Sequence, residues 1–159
     1  MTTIRRLVLV AVIVLALAVP AYAAVTYQSG RYEGHTSQKN SEGKKRKISF
    51  HADFDAGQLS NIKFVSTGTC TDGGDSHGTQ GGKGSRLFAH PDGNGDFKFT
   101  AFSKNKATKL TMRGHIEGTK ASGTFKVTSR YDKQGNSDPD GSVTCTSHRV
   151  KWSAKKVSG

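Results

Sequence analysis

Apolar side chains recur at every second position along much of this chain, and that spacing restricts the possible folds more than any other feature. Residues 47–54 alternate strictly between polar and apolar side chains, and residues 110–116 repeat the pattern. Successive side chains of a β-strand point to opposite faces of a sheet, so this period is typical of strands with one buried face. No stretch beyond residue 23 has a convincing helical pattern. The sequence therefore predicts an all-β protein.

About eight antiparallel strands follow from the pattern, at residues 31–36, 47–54, 59–66, 86–90, 96–102, 110–116, 122–131 and 143–152. Strands in this order suggest a meander that closes into a small barrel or folds into a two-layer sandwich. Leu59 is out of phase with Ile62 and Phe64, which indicates a bulge near Ser60 and Asn61. The aromatic side chains expected to point inward are Phe50, Phe54, Phe64, Phe97, Phe99 and Phe125.

Glycine-rich and polar segments separate these strands. Residues 71–85 contain six glycines and no large apolar side chain, so we expect a long exposed loop there. The run 91–95 is a strong turn signal, and 132–141 is a polar loop. The last strand shifts its phase after Ser147, so that Val150 and Trp152 point inward.

Residues 1–23 predict a cleavable export signal. Arg5 and Arg6 precede an apolar run of 13 residues, and residues 21–23 have the small-x-small pattern that signal peptidase recognises. As a helix this run spans about 20 Å, which is short for a bilayer core of about 30 Å. We expect cleavage after Ala23 and one secreted β domain over residues 24–159.

Cys70 and Cys145 are the only cysteines of the chain. In an oxidising compartment two cysteines form one disulfide by default, which here would join the end of the third strand to the last strand. A metal pair or a catalytic thiol has less support, because neither cysteine has the spacing to a second cysteine or a histidine that those sites require.

Basic residues outnumber acidic ones, 24 to 12, and several of them cluster. This charge predicts affinity for anionic polymers such as cell-wall phosphate chains, acidic glycans or lipid head groups. Specific nucleic-acid binding would need stacking aromatic side chains beside the lysines, whereas the nearest, Phe50 and Phe54, are expected to face the core. The candidate anion-binding residues are Lys44, Lys45, Arg46, Lys47, Lys104 and Lys106.

No pattern of catalytic or metal-ligating residues fits its required context. Residues 74–78 match G-x-S-x-G, but glycines surround the serine where a nucleophile elbow needs a strand and a helix. Residues 92–96 begin like a calcium loop but lack its later glycine and glutamate, so we interpret them as a turn. The pairs of loop acids, Asp72 with Asp75 and Asp138 with Asp140, would bind a cation weakly if their loops meet. The six histidines are spread singly, so a metal site would need assembly across strands.

Short motifs extend over nearly the whole chain beyond residue 23: Gly30-Arg31-Tyr32-Glu33-Gly34-His35-Thr36-Ser37-Gln38, Ile48-Ser49-Phe50, Thr69-Cys70, Ile116-Glu117-Gly118, Ser122-Gly123-Thr124-Phe125, and Cys145 followed by Val150-Lys151-Trp152. In these motifs the chain resembles a group of small secreted β-proteins of high-GC Gram-positive bacteria, most of them without assigned function. The resemblance implies export, a disulfide and a β fold, and it carries no catalytic residues.

From these features we expect a secreted, cell-wall-associated binding protein that is not an enzyme and uses no metal or cofactor. Its expected partner is an anionic polymer or surface. The alternative is a lipocalin-like carrier of a small apolar ligand, with the phenylalanines lining a pocket. An enzyme that uses loop acids and histidines, such as Asp75 and His77, has less support.

Overall fold

The computed structural model describes residues 27–53, 55–81 and 88–159. The predicted export signal and Phe54 lie outside these residues. The described residues form nine strands: β1 (Gly30–Lys39), β2 (Lys45–Asp53), β3 (Gln58–Cys70), β4 (Asp75–Gly81), β5 (Asp96–Phe102), β6 (Thr108–Glu117), β7 (Lys120–Tyr131), β8 (Val143–Thr146) and β9 (Val150–Ser158). They include no helix long and apolar enough to cross a bilayer.

The strands are antiparallel and form a closed barrel with outer strands. Hydrogen-bonded neighbours follow the order β4-β3-β2-β1-β9-β7-β6-β5, and β8 pairs with both β3 and β7. The ring β3-β2-β1-β9-β7-β8 therefore returns to β3. Of the two predicted architectures, the chain thus adopts the barrel and not the sandwich. Two meanders, β1 to β4 and β5 to β7, are joined by β9 between them. The disulfide joins Cys70 to Cys145, as predicted, at directly opposed positions of β3 and β8.

The predicted last strand is divided into β8 and β9 by a bend at residues 147–149. His148 has a φ of 53°, and the backbone N–H of Val127 donates to Ser147 Oγ at 2.8 Å. Both parts run along β7, but β8 reaches β3 on its other side and β9 reaches β1. The phase shift in the sequence thus marks the bend that closes the barrel.

The prediction of an exposed loop over residues 71–85 is wrong for its central part. Residues 75–81 form β4, which pairs with β3 from Lys63↔Gly81 to Thr69↔Asp75. An edge strand gains backbone hydrogen bonds from one neighbour and needs no large side chain, so apolar alternation did not reveal it.

The predicted strand at residues 86–90 is also wrong in the part that the structure describes. Residues 88–90 form a single bridge, in which Ala89 exchanges two backbone hydrogen bonds with Leu59. Pro91 follows and has no N–H to extend the pairing. The remaining residues of that prediction, 86 and 87, lie outside the described ranges.

The predicted bulge in β3 is confirmed. Ser49 pairs with Lys63 and His51 pairs with Ser60. Between these two pairs β3 therefore contains one more residue than β2. Asn61 takes up the extra residue with a φ of 51°. The bulge brings Leu59 into the core together with the two inward residues that follow it.

Aromatic side chains fill the centre of the barrel. Tyr32 stacks on Phe50 with ring centroids 5.0 Å apart, and Phe64 contacts Phe125 at 4.2 Å. Trp152 packs edge-on against Phe50 at 5.9 Å. Of the six phenylalanines expected inside, Phe50, Phe64, Phe97 and Phe125 are buried, Phe99 is half-buried, and Phe54 is not described. Each fully buried ring contributes about 1.5–3 kcal/mol.

Candidate functional site

The basic run at residues 44–47 does not form one surface. Lys44 and Lys45 are exposed at the turn between β1 and β2, and Lys44 is paired with Glu42 at 2.9 Å. Lys47 is exposed on the outer face of β2. Arg46 is half-buried on the opposite face, the one that carries the core residues of β2. Strand alternation separates these four neighbours.

Lys104 and Lys106 are both exposed on the turn between β5 and β6. The neighbouring Asn105 Nδ2 donates to Ser137 O at 3.0 Å, which fixes this turn against the loop between β7 and β8. The register places this turn and the β1–β2 turn at the barrel end that carries the disulfide. The six sequence-predicted cations thus occupy separate parts of this end.

A denser group of cations lies on the outer face of β5, β6, β7 and β9. Lys98 is directly opposite Arg113, Arg113 is opposite Thr124, and Thr124 is opposite Lys151. Neighbouring strands are about 4.8 Å apart, so this row crosses about 14 Å of sheet. We call five exposed basic residues in and beside this row the cationic face: Lys98, Lys109, Arg113, Lys126 and Lys151.

The five side chains of the cationic face are unpaired in the described part of the chain, since none of them forms an ion pair there. Asp96, two residues before Lys98, is instead 3.0 Å from His115 Nδ1. Like charges directly opposite each other repel, as Lys98 and Arg113 do here. A bound anion would relieve this repulsion, so the face is suited to anionic partners.

Sequence reasoning missed the cationic face because its residues are single cations on different strands. The positions 98, 113 and 151 are far apart in the chain, and only the strand order and register place them in one row. The sequence did indicate that Lys98, Arg113 and Lys151 point outward, since each of these residues alternates with core residues along its strand. Phe102, 58% exposed, lies beside this surface with Lys109 Nζ 5.9 Å from its ring centroid.

The acids of the turns are engaged in the turns themselves. Asp72, Asp92, Asp132 and Asp138 each accept a backbone N–H two residues ahead, at 2.9 to 3.0 Å. Hydrogen bonds from Asn136, together with backbone N–H groups, hold the pKa of Asp132 below its ordinary value of 3.8. The prediction that residues 92–96 form a turn is confirmed. Within the described ranges, no three His, Cys, Asp or Glu side chains are grouped to hold a metal ion.

The histidines and the G-x-S-x-G segment form no catalytic arrangement in the described part. Ser76 lies on β4 between the exposed residues Asp75 and His77, and strand alternation points it to the other face. His115 contacts Asp96, and His148 Nε2 lies 3.2 Å from Thr69 Oγ1. These contacts hold turns and neighbouring strands together.

Comparison of the chain with protein-family models, curated protein sequences and solved structures finds no match.

Proposed function

We propose that this chain is a secreted, non-enzymatic protein whose cationic face binds anionic polymers of the cell envelope. The observation that carries the proposal is the row of Lys98, Arg113 and Lys151 across β5, β6, β7 and β9. These side chains are exposed and form no ion pair with the described residues. A rigid sheet presents these charges at fixed spacing, so binding costs little conformational freedom beyond that of the cationic side chains themselves.

A polymer with repeated phosphate groups fits this surface better than a single small anion. Several contacts formed at once add to one another through effective concentration. The surface is open to solvent, so it selects for charge density rather than for one chemical shape. Export through the predicted signal, and the resemblance to small secreted β-proteins, motivate a location at the cell envelope.

The carrier alternative has less support. Its ligand would occupy the space inside the barrel, and the stacked and edge-on aromatic rings of Tyr32, Phe50 and Trp152 occupy that space. The phenylalanines that would line a pocket pack against one another instead, as Phe64 and Phe125 do.

The test compares two triple variants of equal net charge. The first replaces Lys98, Arg113 and Lys151 with Gln; the second replaces Lys44, Lys104 and Lys106. We expect the first variant to bind long-chain polyphosphate and cell-wall pellets about tenfold or more weakly than the unmodified protein, and the second to lose much less. Binding of the unmodified protein should fall as salt is raised, because exposed charges are screened.

Equal losses in the two variants would mean that net charge alone drives binding and that the cationic face has no special role. Retention that does not change with salt would remove the electrostatic basis of the proposal. A single-stranded DNA arm is added to the assay. Tighter binding of DNA than of polyphosphate would assign the face to nucleic acid instead.

A further inference from the structure

A second cationic feature lies at the disulfide end of the barrel, on strands other than those of the cationic face. It is a groove of about 410 Å³ between the β1–β2 hairpin on one side and β3, β4 and the 147–149 bend on the other. Its charged lining is Lys39, Arg46 and Asp75, with His77 and His148 beside them. We call it the mouth groove.

Arg46 is the unusual member of this lining. Its position alternates with the buried Ile48 and Phe50, so its side chain starts from the interior face of β2. The Nε atom is buried and has no hydrogen-bond partner among the described residues, and no ion pair of Arg46 occurs there. A buried donor without a partner is costly, and the Arg46 side chain lines the groove, where an oxyanion can pair with its guanidinium.

The groups around Arg46 can supply the other contacts of an oxyanion. Guanidinium presents planar paired donors that match a phosphate or sulfate edge. Lys39 adds a second positive charge, and the Thr69 hydroxyl with His148 adds a polar pair 3.2 Å apart. Asp75 is the one acid of the groove lining and is exposed.

We propose that the mouth groove binds one phosphate group, with Arg46 as its principal ligand. The two cations of the lining, Arg46 and Lys39, suit one phosphate group rather than the side of a long polymer. The phosphate could come from inorganic phosphate or from the end of a phosphate chain, since both present the same oxyanion. The site does not depend on the cationic face.

The decisive variant is Arg46→Met, which keeps the length of the side chain and removes its charge and donors. Lys47→Met is the matched control, because it removes the same charge one residue away on the outer face. Isothermal titration with sodium phosphate is run at constant ionic strength set by sodium chloride. We expect saturable binding by the unmodified protein and by Lys47→Met, and binding about tenfold or more weaker in Arg46→Met.

Arg46→Lys is a second variant, in case Arg46→Met fails to fold. It keeps the positive charge but loses the planar donors, so we expect a phosphate affinity between those of the unmodified protein and Arg46→Met. Emission from Trp152, the single tryptophan, reports whether each variant keeps its core. Equal phosphate affinity in Arg46→Met and the unmodified protein would overturn the proposal. So would the absence of saturable binding by the unmodified protein.

A tripolyphosphate arm identifies the source of the group. Tighter binding of tripolyphosphate than of phosphate, lost in Arg46→Met, assigns the groove to a chain end; the reverse order assigns it to inorganic phosphate. The variant with Gln at residues 98, 113 and 151 should keep its phosphate affinity. The proposals for the mouth groove and for the cationic face can therefore be refuted independently of each other.

Discussion

Gly34 lies on the side of β1 that faces the barrel interior, at a point where the backbone of β9 comes very close to β1. A Cβ at this position would overlap the carbonyl oxygen of Ser153 and lie 2.5 Å from the Cα of Ala154. Both contacts are with backbone, which cannot rotate away, so β1 and β9 would have to separate. We expect Gly34→Ala to lower the free energy of unfolding by about 1–3 kcal/mol.

Urea unfolding followed by Trp152 emission measures this loss. Gly93→Ala is the control, because nothing lies within 4 Å of its added Cβ. Equal unfolding midpoints for Gly34→Ala and the unmodified protein would show that the two strands are not held at this distance.

Asp132 offers a prediction about pH. Asn136 Nδ2 donates to Asp132 Oδ2 at 2.9 Å, and this bond favours the charged carboxylate. Because the pKa is lower in the folded state, the contribution to stability is present above the ordinary value and is lost as pH falls from about 4 through the folded value. We expect Asn136→Ala to raise the pKa of Asp132 toward 3.8.

Carboxyl carbon chemical shifts followed by NMR over an acid titration report this pKa directly. Gln134→Ala is the matched control, since residue 134 contributes its backbone N–H, which the substitution keeps. A titration midpoint that stays low in Asn136→Ala would assign the effect to the backbone N–H groups of the turn.

At the scale of elements, β8 depends on the disulfide. It has four residues, and only two of its positions pair with β3. The bond between Cys70 and Cys145 closes the barrel at that seam and restrains a loop with a sequence separation of 75. We expect reduction to lower the free energy of unfolding by about 4 kcal/mol, largely because the reduced unfolded chain is less restrained.

Urea unfolding with and without dithiothreitol measures this difference. In the variant with Ser at residues 70 and 145, dithiothreitol should have no effect, which separates the disulfide from other actions of the reductant. If the oxidised and reduced proteins unfold at the same urea concentration, the seam between β3 and β8 does not depend on its covalent bond.

Elements with one buried face were predictable, and elements without one were not. Strand β2 and the bulge at Asn61 follow from where apolar side chains fall in the sequence. β4 has no such side chains, since its burial alternates only between exposed and half-buried positions. Backbone pairing to β3 holds it, and pairing leaves no trace in side-chain hydrophobicity.

At the scale of the whole molecule, the candidate sites were less predictable than the fold. The basic run at residues 44–47 was predicted as a group of candidate anion-binding residues, and strand alternation turns Arg46 to the face opposite Lys47. The cationic face depends on the order β5-β6-β7-β9, in which β9 comes from the far end of the chain. Composition predicted an anionic partner but not the surface that would meet it.

The sequence by itself determined which residues form most of the strands, which face of each strand is buried, which sulfurs pair and which sign the net charge has. These properties are local or compositional, because a strand alternates its side chains whatever its neighbours are. Tertiary structure alone decided that the sheet closes into a barrel, that Lys98, Arg113 and Lys151 share a row, and that Arg46 lines the mouth groove. Those outcomes depend on strand order and register, which bring together residues that are distant in the chain.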